Sequence, residues 1–172
     1  MPKRVRPSDD GSSLVEVVVA MAIMATLAAG LMAMAAIALT QSENQGHQAA
    51  RTAEYAQDKM EQLLVLAFGD TTSDTRVFPS ANSGGTGLTV GGSANPAAPV
   101  AGFVDYLDAR GNLLTAPSGG GAPAGWFYAR AWQITSLSTT LKEVRVTATV
   151  ARGIGRQQTP SATLVTLKTF PF

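Results

Sequence analysis

The sequence has no cysteine. Disulfides, thiolate catalysis and Cys-ligated metals are therefore excluded, and a domain outside the cytoplasm would have to rely on its core and on assembly. There is one histidine, His47. Without a second histidine or any cysteine, neither a catalytic triad nor a metal centre is expected. No catalytic residue, metal or cofactor is nominated, and His47 reads as a solvated helix residue. The glycine groups at Gly84-Gly85, Gly91-Gly92 and Gly119-Gly121 lack the following lysine and helix of a phosphate-binding loop. No proline falls between Gly11 and Phe78, so nothing there forces a helix to stop. Charge is also uninformative overall. The formal net charge is +1, and it falls to zero without residues 1–11, where Lys3, Arg4 and Arg6 oppose Asp9 and Asp10.

What is present is one long apolar run. Leu14 to Leu39 is about 26 residues with Glu16 as its only charge, against the ~20 needed to cross a bilayer. It is longer than the roughly 7–15-residue apolar region of a cleaved secretory signal. The bases Lys3, Arg4 and Arg6 precede it, and the next is Arg51. That asymmetry keeps the N-terminus cytoplasmic and sends the remainder across. A carboxylate within such a run is costly in lipid and implies a partner. Alanine and other small residues, with Gly30, favour close helix–helix approach.

The helical pattern continues beyond the run. Ala49, Ala53, Ala56, Met60, Leu63 and Ala67 form one apolar stripe, and Glu43, Asn44, Arg51, Glu54, Asp58 and Glu61 occupy the other faces. Gly69 marks a stop. The expectation is one helix from about Ser13 to Phe68, roughly 84 Å long at 1.5 Å per residue. Ser80–Gly102 and Ala116–Gly125 are structureless by composition. Between them, Phe103–Leu107 and Leu113-Leu114 form a hairpin turned by Gly111-Asn112.

The last third alternates as strands. Trp126, Tyr128, Arg130 and Trp132 share one side of Trp126–Thr135. Val144, Val146, Ala148 and Val150 share one side of Leu141–Ala151, and Val165 and Leu167 are the expected inward residues of Ser161–Phe170. Ser136–Thr140 and Gly153–Pro160 are the turns. Short connections imply an antiparallel sheet, and the helical stripe is the surface available to cover it. The fold class is α+β, a long N-terminal helix on a small antiparallel sheet.

Gly11, a polar dipeptide, then Leu14-Val15-Glu16 and a long apolar helix resemble the class III signal of type IV pilins and type II secretion pseudopilins. The segment from Ala53 to Leu64, Trp126–Ile134 and Leu141–Thr147 resembles minor pilins of the PilV type. The resemblance implies a type IV pilin-like fold without catalytic activity. It divides the chain into a leader (1–11), a transmembrane or filament-core half of the helix (12–40), an amphipathic half (41–68), a variable region with a hairpin (69–125) and a sheet (126–172). It implies that prepilin peptidase cuts between Gly11 and Ser12, that Ser12 becomes the N-methylated residue, although phenylalanine is usual there, and that Glu16 meets the N-terminal amine of a neighbouring subunit. Other pilin subunits, the inner-membrane assembly platform and, before assembly, membrane lipid are the implied partners. The implied location is the bacterial inner membrane, then an extracellular or periplasmic pilus.

Other readings stay open. A pseudopilin of a type II secretion system shares the signal. A DNA-binding competence pilin would use the basic set Arg130, Arg145, Arg152, Arg156 and Lys168, which lacks the interleaved aromatics of a base-stacking surface. A solvated face, or a complement to Glu54, Asp58 and Glu61 of a neighbour, is the plainer account. Asp105 and Asp108 flank the hairpin and suit either calcium or an Asx turn. Gly30 suits either a packing contact or local unwinding.

Overall fold

The computed structural model describes residues 10–117, 121–151 and 159–170, with side chains from Leu14 onward. Residues 1–9, most of the expected leader, and 152–158, most of the Gly153–Pro160 turn, lie outside that set. The chain divides into two compact units, Met1–Asn44 and Gln45–Phe172. Helix α1 runs Asp10–Val65 (56 residues), without interruption at Gly30 or Gly46. In the first unit every described side chain from Leu14 to Asn44 is exposed.

The second unit is built on a six-stranded antiparallel sheet. Its strands are β1 (Gly91–Gly92), β2 (Val104–Leu107), β3 (Leu113–Leu114), β4 (Tyr128–Ser138), β5 (Leu141–Val150) and β6 (Ser161–Thr169). The order is β3-β2-β4-β5-β6, and β1 also pairs with β4. The expected hairpin therefore joins the sheet through β2 and β4, and the sheet is not confined to residues 126–172. Nor is Ser80–Gly102 structureless, because it contributes β1 and the fully buried Leu88. Glycine is needed at Gly92, whose φ is +81°; a side chain there would strike the Trp132 carbonyl and the Phe103 ring.

One face of the sheet carries the core. Tyr55, Ala56, Met60 and Leu63 of α1 pack against Trp132, Ile134, Val144, Val146, Ala148 and Val150. A fully buried leucine such as Leu63 contributes about 2–3 kcal/mol by removal from water. The stripe differs from expectation at its edges. Ala49, Ala53 and Ala67 are exposed, and Thr52, Tyr55 and Lys59 are buried instead. Tyr55 reaches the sheet, packing edge-on against Tyr128 at 4.8 Å, while Ala56 alone of the stripe's alanines stays buried.

Two other inward assignments change. Val165 and Leu167 point outward, 50% and 56% exposed. The β5 pairing sets this phase by placing Leu164 opposite the inward Val146 and Ala162 opposite Ala148. Trp126 precedes β4 and packs on the other face, against Tyr106 at 5.4 Å. There it closes a smaller cluster of Val104, Tyr106, Ala129 and Ala131.

The helix stops at Val65, three residues before the expected Phe68. Its last turn contains no base, and a lysine from β6 reaches one helix-end carbonyl while one from β5 ties down the segments that follow. Lys168 Nζ donates to the Leu64 carbonyl at 2.6 Å, and Lys142 Nζ donates to those of Phe68 and Leu88 at 2.7 and 2.9 Å. Cations at a helix C-terminus complement its dipole. Phe68 has left the helix and packs edge-on against Phe170 at 5.5 Å.

Candidate functional site

Gly11 and Ser12 lie in the first turn of α1, and their surroundings fall outside the described side chains. Glu16 is one turn further on, exposed, amid exposed Leu14, Val15, Val17 and Val18. None of the ion pairs among the described residues includes it. The helix is long and apolar enough to cross a membrane. An exposed apolar surface of this extent marks contact with lipid or with other protein. What the arrangement offers chemically is one carboxylate on an otherwise apolar rod.

The second unit holds the opposite arrangement, charge buried among apolar groups. Asp105 on β2 accepts from Arg130 Nε at 2.7 Å through Oδ1 and from an Arg130 terminal nitrogen at 2.8 Å through Oδ2. Lys59 of α1 lies 2.7 Å from the same Oδ2. Lys59 also donates to the Thr75 carbonyl at 2.6 Å and sits 4.2 Å over the Trp132 ring. Lys59 is fully buried, and Asp105 and Arg130 nearly so. Burial pushes the Lys59 amine down to about 8, against the pull of Asp105. Burial also works to raise the Asp105 carboxyl, but Lys59 and Arg130 outweigh it and hold the group below the usual carboxylate range.

Sequence pattern alone does not assemble this cluster, whose members come from distant parts of the chain. Lys59 falls between Ala56 and Leu63 on the helical stripe, Arg130 alternates in phase with Tyr128 and Trp132, and Asp105 interrupts an apolar run. The ion pair leaves Asp105 enclosed by cations, which removes it as a calcium ligand. Asp108 makes the Asx turn: Oδ1 accepts from the Arg110 and Asn112 backbone N–H groups at 2.8 and 2.9 Å. No group of acidic or histidine side chains suited to a metal occurs among the described residues, and His47 is exposed.

The basic set is largely engaged within the fold. Arg130 is buried on Asp105, Arg145 pairs with Glu143 at 3.1 Å, and Lys168 caps α1. Arg152 and Arg156 lie outside the described residues. The acidic side of the second unit is more open. A groove of about 680 Å³ runs beside α1, lined by Tyr55, Asp58, Glu61, Val65, Phe78 and Leu113 among others.

Comparison of the chain with protein-family models, curated proteins and solved structures finds no match. The functional reading therefore rests on the residues themselves.

Proposed function

We propose that this chain is a minor, PilV-like subunit of a bacterial type IV pilus, and that its work is assembly rather than catalysis. It enters the inner membrane as a single-pass precursor with its N-terminus in the cytoplasm and its sheet in the periplasm. One observation carries the reading. Gly11-Ser12-Ser13-Leu14-Val15-Glu16 opens a helix whose side chains are exposed from Leu14 to Asn44, and later turns of the same helix close the core of a sheet. A plain membrane anchor needs neither a carboxylate near its start nor continuity into a folded domain.

The chemistry follows from removing the leader. Prepilin peptidase cuts after Gly11, where a side chain would obstruct its approach to the backbone, and Ser12 becomes an N-methylated terminal amine. Buried alone, that amine or Glu16 would cost several kcal/mol in an apolar setting. Joining the amine of one subunit to Glu16 of the next removes both penalties and sets the axial register. Lipid solvates the apolar half before assembly, and neighbouring subunits replace it afterwards.

The leader assignment is tested by Gly11→Trp expressed with the peptidase. The wild-type chain should shift to a faster-migrating product and the variant should not. A wild-type chain whose mobility is unchanged by the peptidase would sink the assignment.

A further inference from the structure

The groove beside α1 combines a buried hydroxyl, two carboxylates and an apolar end. Tyr55, Asp58, Glu61 and Val65 line it from the helix, and Val77 and Phe78 from the segment that follows. Tyr55 is only 7% exposed. Its hydroxyl oxygen nevertheless reaches the groove, 2.5 Å from where a Cβ on Gly111, another lining residue, would sit. The side-chain hydrogen bonds of this stretch of α1 come from Arg51, Thr52, Gln57 and Lys59, and those of the β2–β3 turn end on Asp108. Among the described residues none uses the Tyr55 hydroxyl. A phenol buried this deeply ordinarily has a partner, and that bond is left to whatever fills the groove.

The charge is one-sided. None of the ion pairs among the described residues includes Asp58 or Glu61, and within that set Glu61 accepts only from the neutral Gln57 amide. The lining base Arg130 is 4% exposed and bonded to Asp105. Lys59 and Arg130 against Asp105 leave one positive charge behind the groove, and the two carboxylates lining it outweigh that charge. Toward the end of the helix, Val65 and Phe78 are 86% and 84% exposed. An acidic surface continuous with an apolar one favours a cation carried beside an aliphatic group.

Length points to a polypeptide. Tyr55 to Val65 is a rise of roughly 15 Å along the helix at 1.5 Å per residue. An extended chain covers that distance in about four or five residues at ~3.3 Å each. Its alternate side chains fall ~6.6 Å apart on one side, close to the ~6 Å rise from Glu61 to Val65.

We propose that the groove docks an extended segment of a partner protein in which a basic and an aliphatic residue stand two positions apart. The base meets Asp58 and Glu61, the aliphatic side chain meets Val65, Val77 and Phe78, and the Tyr55 hydroxyl bonds the segment's backbone. The carboxylates fix the register and refuse acidic segments. The docking requires neither the cut at Gly11 nor Glu16 and stands apart from the pilus reading.

The chain has three tyrosines, so ring-labelled tyrosine gives an NMR spectrum simple enough to assign. Tyr106, on the other face of the sheet against Trp126, is the internal control. Full-length chain in a non-ionic detergent is titrated with the peptide acetyl-Gly-Arg-Gly-Leu-Gly-amide. Tyr55 should shift saturably, with half-saturation below about 1 mM, and Tyr106 should stay in place. Glutamate in place of the peptide's arginine should weaken binding at least about ten-fold. Asp58→Asn with Glu61→Gln should weaken the arginine peptide similarly, with Tyr106 reporting an intact fold. The comparison of the two peptides on the wild-type chain stands even if that variant misfolds. Butylguanidinium, which carries the charge without a backbone, should bind at least about five-fold more weakly than the arginine peptide. No saturable shift at Tyr55, or a shift of Tyr106 equal to it, overturns the proposal. So does equal binding of the glutamate peptide or of butylguanidinium.

Discussion

Two carboxylates in this chain are placed in opposite ways. Asp105 is buried beneath α1 and held by two cations of its own chain, Lys59 and Arg130, both at 2.7 Å. Glu16 is exposed on an apolar helix, outside every ion pair among the described residues. In each case an anion stands in a setting that disfavours it. For Asp105 the fold supplies the compensation. For Glu16, under the pilus proposal, the next subunit supplies it, and only after the leader is removed. Under that proposal one acid belongs to the stability of the second unit and the other to assembly.

The largest effect that sharpens this contrast is at Asp105. Asp105→Ala leaves Lys59 and Arg130 buried without their anion, and denaturant unfolding of the detergent-solubilised chain should show a loss of about 3–5 kcal/mol. Glu16→Ala should stay within about 0.5 kcal/mol in the same assay. Equal losses would erase the distinction. The apolar residues should divide similarly: Leu63→Ala, in the core, should cost about 2–5 kcal/mol, and Leu27→Ala, exposed, should leave the sheet's unfolding unchanged.

A smaller effect lies in the pH dependence. The Lys59 amine sits at about 8, below its ordinary 10.5, because of burial. The folded chain releases that proton at lower pH than the unfolded chain. Between those values the unfolded state binds more protons, so this group makes stability rise with pH. Tyr55, Tyr106 and Tyr128, all raised by burial, act in the opposite sense above their ordinary 10.0. Unfolding free energy compared from pH 8 to 10 should therefore rise less steeply in Lys59→Met than in the wild type; parallel curves would contradict a desolvated amine. The smallest effect is expected at the exposed Arg51–Glu54 pair, where Arg51→Ala should change stability by less than about 1 kcal/mol.

Much of the second unit was legible because helices and strands repeat with fixed periods. Ala56, Met60 and Leu63 marked the buried helix face, and Val144, Val146, Ala148 and Val150 marked the inner face of β5. Where two phases were similarly apolar, the pattern could not choose. Ser161–Thr169 offers Leu164 on one side and Val165 with Leu167 on the other, and pairing with β5 decides between them. Leu88 and β1 were hidden for another reason: a Gly- and Ser-rich stretch reads as loop, yet one leucine suffices to anchor it. The Lys59–Asp105–Arg130 cluster was not legible: Lys59 carried no reading of its own, Asp105 suited a turn or calcium, and the three partners come from distant parts of the chain. Glu16 stands out in the sequence because nothing else in the run from Leu14 to Leu39 is charged, and its role is the part that the pilus proposal supplies.

The most direct measurement of the central claim is the distribution of Glu16→Ala chains between membrane and sheared filaments in cells that process the leader. If Glu16 is half of an intersubunit bond, the variant should be cut, remain in the membrane and be missing from filaments. Normal incorporation of a fully processed Glu16→Ala chain would contradict the account.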